Sequence, residues 1–140
     1  MGKPVNVVIS LGSNCGLRKE NVEAATRFLG TVLTEMRASS IYETPEIHGL
    51  PHLYMNAVVE GNFSGEFDEL HEMCKIYEKE NGRDETALNR GDVPIDLDIV
   101  TWDEEIIRPR DFSMEFFKIG YRQLIGDWGL GIDSRGATAL

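Results

Sequence analysis

The chain has 140 residues, 41% of them hydrophobic, which is enough for one respectable core and is most simply a single domain. Its formal net charge of −10, from 24 acidic and 14 basic residues, argues against a nucleic acid or an anionic membrane as partner and demands local cations for any anionic ligand. With no signal peptide after Met1 and no apolar run near the roughly 18–20 residues of a membrane span, a cytoplasmic protein is expected. Cys15 and Cys74 then read as free thiols of a reducing compartment, with a disulfide as the alternative.

Residues 5–11 read as a strand running into a turn at Gly12, Ser13 and Asn14. A helix is expected over 18–33, with Val22, Ala25, Phe28, Leu29 and Val32 near helical spacing. Residues 36–43 read as a second strand stopped by Thr44 and Pro45, since proline lacks the ladder donor. A loop with Gly49 and Pro51 follows over 46–52. His48 and His52, with Glu46 nearby, lack a fixed third ligand there and read as loop residues rather than a transition-metal site. Residues 53–63 alternate loosely and pair with the second strand. The second helix, over 66–81, places Phe67, Leu70, Met73, Cys74 and Tyr77 on one face and stops at Asn81 and Gly82. A polar loop over 83–92 leads to the next strand.

That strand, residues 93–100, is an apolar run carrying Asp96 and Asp98. A period of two sends both carboxylates to one face and Ile95, Leu97 and Ile99 to the other. Their Cα atoms then lie roughly 6.5–7 Å apart, near enough to share a divalent cation. Aspartate is depleted in core strands, and two like charges side by side call for a positive partner. Mg²⁺, which prefers carboxylate and phosphate oxygens, is the favoured reading, and a solvated strand face is the alternative. A short hairpin with its turn at Asp103 and Glu104 follows; the pattern beyond Asp111 resists assignment. The whole predicts an α+β fold: a ferredoxin-like βαββαβ antiparallel sheet with helices on one face over residues 1–125, plus a short Gly-containing tail over 126–140.

Several short stretches taken together resemble a known family: Leu11-Gly12-Ser13-Asn14, Tyr42 with Thr44-Pro45, Tyr54 with Asn56-Ala57, Glu78, Gly82-Arg83, and Ile95-Asp96-Leu97-Asp98-Ile99. Their order and spacing are similar to 6-hydroxymethyl-7,8-dihydropterin pyrophosphokinase, the folate-pathway enzyme that moves pyrophosphate from ATP to a pterin alcohol. The resemblance covers roughly residues 5–125. It implies that Asp96 and Asp98 hold two Mg²⁺ ions against the ATP phosphates. It also implies that Thr44 and Pro45 border a pterin pocket, that Asn56 pairs with the pterin edge and that Tyr54 stacks on its ring. Glu78, Arg83 and Arg122 fall on the ATP side, and ATP and hydroxymethyldihydropterin are the implied small-molecule partners, with no protein partner evident.

The departures concern phosphate-binding cations. The family places an arginine three residues before the first aspartate, where this chain has Val93, and an aromatic residue three earlier, where it has Arg90. Its Pro-His-Pro element falls, without gaps, on Glu115, Phe116 and Phe117, with Arg122 at the arginine and Leu124 at the ring-stacking position. A gapped register offers Tyr121 as the aromatic but Ile119 at the arginine. Transfer with reduced efficiency is therefore expected. A catalytically weak relative that binds pterin or nucleotide, and a ferredoxin-like protein-interaction module, are the alternatives.

Overall fold

Residues 3–45 and 53–126 are described by a computed structural model of the chain. The loop expected over 46–52, with His48 and His52, and the tail beyond Gly126 lie outside the described residues. Strand β1 (Val5–Ser13) extends the expected strand through Gly12 and Ser13, and it is buried on both faces. Val7, Ile9 and Leu11 enter one core and Val8 the other, so the pleat alone divides the strand between two layers. Helix α1 (Arg18–Val32) buries Val22, Ala25 and Leu29, spaced as one helical stripe, against the first core.

The strand expected over 36–43 is two strands, β2 (Thr34–Ala38) and β3 (Tyr42–Pro45), both paired with β4 (Leu53–Phe63). Between them Ser39 accepts the ladder's place by side chain: its Oγ takes the Val58 amide at 2.9 Å while its own amide reaches Val58 O at 2.8 Å. Proline ends β3 on Leu53 without breaking the pairing, because a strand terminus needs no further donor. Helix α2 (Phe67–Glu80) opens on a capping box, Glu69 accepting the Glu66 amide at 2.6 Å. Met73, expected inward, is 42% exposed, whereas Glu78 is buried.

The expected loop over 83–92 contains a short helix, α3 (Glu85–Arg90), capped by the Asp84 carboxylate on the Ala87 amide and stopped by Gly91 at φ 75°. The aspartate strand β5 (Asp96–Trp102) starts later than expected. Asn14 binds Val93 through both backbone groups, and Asn21 donates to Pro94 O at 3.1 Å, drawing 93–94 away from the ladder. The hairpin to β6 (Glu105–Ile106) turns at Asp103 and Glu104 with φ 52° and 70°, as expected of a two-residue turn matched to strand twist. The unassigned segment folds as α4 (Pro109–Phe112) and α5 (Glu115–Gly126).

The main strand order is β2-β4-β1-β5-β6, antiparallel throughout, with β3 beside β4. Helices α1 and α2 cover one face, as expected of the ferredoxin-like arrangement. Helix α5 covers part of the other, burying Phe117 and Leu124 against Val8, Val58 and Val100. Its close approach requires Gly120, where a Cβ would come within 2.6 Å of Val58 Cγ2; the Gly120 amide donates to the Tyr42 hydroxyl at 3.0 Å. Each fully buried large aliphatic chain in these cores contributes about 1.5–3 kcal/mol.

Candidate active site

Two registers build the site. Gly12 of β1 faces Asn56 on β4 and Asp96 on β5, while Ser10 faces Val58 and Asp98. An amide, a bare glycine backbone and a carboxylate therefore stand in one row across three strands, on the sheet face opposite α1 and α2. Gly12 keeps this row open, since a Cβ there would lie 3.3 Å from Tyr54 Cδ2 and 3.4 Å from Asn56 Oδ1. A cavity of about 280 Å³ lies over it, walled by Thr44 and Pro45 of β3, Tyr54 and Asn56 of β4, Asp96 and Asp98 of β5, and Phe116 of α5. Asn56 is 3% exposed and its Nδ2 donates to Thr44 Oγ1 at 2.6 Å, so packing and hydrogen bonding fix the amide plane.

The aspartates are bracketed by cations. Arg83 Nη1 lies 2.5 Å from Asp96 Oδ1 and 3.4 Å from Glu78 Oε1. Lys75 Nζ lies 3.7 Å from Asp98 Oδ1, and Arg108 Nη2 lies 3.9 Å from Asp98 Oδ2. Burial, and then the neighbouring Asp96, push Asp98 up to about 7. Burial opposes the charge on Asp96 too, but a hydrogen bond from Asp98 and the Arg83 guanidinium hold it below the usual carboxylate range. Asp96 therefore stays ionised while Asp98 holds its proton up to about pH 7, because burial and the neighbouring carboxylate outweigh the cations around it. Glu78 is raised by burial against the Leu97 amide and Lys75, which favour its charge.

The structure thus brings Thr44, Pro45, Tyr54, Asn56, Asp96 and Asp98 together around one cavity. Arg83 reaches it through Asp96, and Glu78 lies behind β5. Arg122 does not line the cavity; it sits on α5 with Glu115 at 3.6 Å. Tyr121 and Leu124, the aromatic position in either register, pack in the second core. The wall residues that the sequence reading missed include Ser10, Arg108, Arg110, Asp111 and Phe116. A signal for the arginines existed: a tight turn at Asp103 and Glu104 must return the chain along β5, and the Ile107 and Arg108 amides do bond Val100 O.

Asp96 and Asp98 fit a hard divalent cation: two carboxylates on one strand face, one of them holding a proton that a cation would replace. Among the described residues no third His, Cys, Asp or Glu completes a protein cage. Water would fill the remaining positions around a cation held there, with phosphate oxygens replacing some of it when a phosphate-bearing ligand binds, as magnesium sites commonly do.

Fold and site define an α+β domain with a carboxylate pair beside a heterocycle-sized cavity. The family model for 7,8-dihydro-6-hydroxymethylpterin-pyrophosphokinase (HPPK) matches residues 8–124, and the chain belongs to that family. It is 38% identical over 96 residues to a folate synthesis bifunctional protein of Arabidopsis thaliana, covering 67% of this chain and 20% of that protein. It is 34% identical over 108 residues to the folate synthesis bifunctional protein of Chlamydia trachomatis, covering 71% and 23%. A mitochondrial folate synthesis bifunctional protein of Arabidopsis thaliana is 37% identical over 98 residues, covering 67% and 17%. The chain spans about a fifth of the length of the curated relatives it matches. Among the described residues no helix is long and apolar enough to cross a membrane.

Proposed function

We propose that this chain transfers pyrophosphate from ATP to 6-hydroxymethyl-7,8-dihydropterin with Mg²⁺, a step of folate biosynthesis. The row Asn56–Gly12–Asp96 carries the reading, because it sets an amide suited to a heterocycle edge beside carboxylates suited to a metal–phosphate group. Asn56 and Tyr54 orient the pterin, and Thr44 and Pro45 border it. Asp96 and Asp98 hold magnesium, which when bound neutralises charge on the phosphates. Arg83, Arg108 and Arg110 supply positive charge on the nucleotide side, with Glu78 behind them, and Arg108 and Arg110 take the role that the sequence reading gave to Arg122. The pterin hydroxymethyl oxygen attacks the β-phosphorus, AMP leaves, and no covalent enzyme intermediate forms. The residues work by placement and electrostatics. A coupled assay for AMP formed from ATP and hydroxymethyldihydropterin tests this; tight binding of both substrates without AMP would support the binding-only relative instead.

Replacement of Asn56 by alanine should weaken pterin binding about 5- to 150-fold, the equivalent of roughly 1–3 kcal/mol for an unpaired polar edge. ATP affinity alone should stay unchanged in the same calorimetric titration. A pterin affinity indifferent to Asn56 would remove the pocket assignment.

Metal affinity should depend on pH with a sign set by Asp98. Its proton must leave before a cation binds, so Mg²⁺ affinity should rise about tenfold per unit up to about pH 7 and level off above. The same raised value means that Asp98's contribution to stability is full below the unfolded carboxylate range, near 4, and is lost as pH rises through about 7 in metal-free protein. Calorimetry in buffers of different ionisation enthalpy checks this by the proton released. Affinity flat from about pH 5.5 to about pH 8 would contradict it.

A further inference from the structure

Leu97 separates the two aspartates, and its polar backbone groups face α2. Its amide donates to Glu78 Oε2 at 2.7 Å, and its carbonyl accepts from Lys75 Nζ at 3.3 Å. Strand β6 pairs only with Thr101 and Trp102, so among the described residues no strand flanks Leu97 on that side. Lys75 and Glu78 are themselves joined at 3.0 Å, one turn apart on α2. One acceptor and one donor thus meet the Leu97 peptide as a neighbouring strand would. Only Lys75 continues to Asp98, at 3.7 Å.

We propose that the Lys75–Glu78 pair substitutes for a missing strand, and that Lys75 is a positioning residue for the metal site: it holds the Leu97 peptide, and so the relative aim of the Asp96 and Asp98 carboxylates. This rests on the reading that those aspartates take a divalent cation. The ammonium by itself opposes a metal beside Asp98, so a counter-ion role and a positioning role predict opposite signs. If Lys75 only neutralises Asp98, its removal tightens metal binding. If it positions, removal weakens binding despite the lost repulsion.

The test uses Mn²⁺ alone, without nucleotide, followed by electron paramagnetic resonance on the full chain. Lys75→Met should weaken Mn²⁺ binding about tenfold, the scale on which groups that orient metal ligands act. Lys75→Arg, which keeps a charged donor of similar reach, should recover most of it. In parallel, hydrogen exchange at the Leu97 amide should accelerate in Lys75→Met, because its acceptor Glu78 Oε2 is the oxygen that Lys75 holds at 3.0 Å, while Val58 and Val59, both 0% exposed, stay protected, which separates a local release from global unfolding. Unchanged or tighter Mn²⁺ binding in Lys75→Met, or unchanged exchange at Leu97, overturns the inference alone. Wild-type protein that binds no Mn²⁺ overturns both it and the metal reading of the aspartates.

Discussion

Replacing both Asp96 and Asp98 by asparagine should abolish Mg²⁺-dependent ATP affinity and lower turnover by about 10³-fold or more, which corresponds to roughly 4 kcal/mol of transition-state stabilisation. The two side chains are the protein's whole anionic offer on that strand face, and asparagine keeps their shape while removing the charge. The fold should survive. Asp98 is pushed up to about 7, first by burial and then by Asp96, so in metal-free protein near neutral pH its ionised form is the strained state. Asp98→Asn alone should therefore raise the melting temperature of metal-free protein at about pH 8 while losing the further rise that Mg²⁺ gives wild type. Asp96→Asn should not stabilise, because it strips Arg83 of its 2.5 Å partner. Unaltered Mg²⁺-dependent ATP binding in the double variant would end the two-carboxylate account.

Arg108→Ala should lower turnover by about 10²–10³-fold with pterin affinity unchanged, the mark of a cation used where charge develops on phosphate. Arg108 closes the hairpin return, lies 3.9 Å from Asp98 and is held at 2.5 Å by Asp111. Its side chain is 47% exposed, which leaves it free to turn from Asp111 toward a nucleotide. Val93 offers no such charge, and its backbone is tied to Asn14 on both sides. In the proposed reading, the charge absent at Val93 would be supplied by Arg108 from a different element. If Val93→Arg restores part of the rate lost in Arg108→Ala, the two positions serve one role. Normal turnover in Arg108→Ala would show that Arg110 suffices.

Much of this protein follows from local rules acting on its sequence. A pleat of period two puts Asp96 and Asp98 on one face wherever the strand lies, and helical spacing alone aims Val22, Ala25 and Leu29 inward. The stop at Asn81 and Gly82 and the turn at Asp103 and Glu104 are likewise written in a few adjacent residues. Asp84 and Gly91 also bracket α3 as cap and stop, a local signal within the stretch expected as a loop.

Other features belong to the tertiary structure. Residues 36–43 split into two strands because Ser39 meets Val58, and β5 starts late because Asn14 and Asn21 claim Val93 and Pro94. No local pattern in α5 says that Phe116 walls the cavity while Tyr121 and Leu124 fill a core, or that Arg108 rather than Arg122 reaches the aspartates. Periodicity specifies which face a side chain takes relative to its own backbone, over a span of a few residues. Which distant side chain stands opposite depends on strand register and helix docking, and these are set by burial summed over the whole sheet.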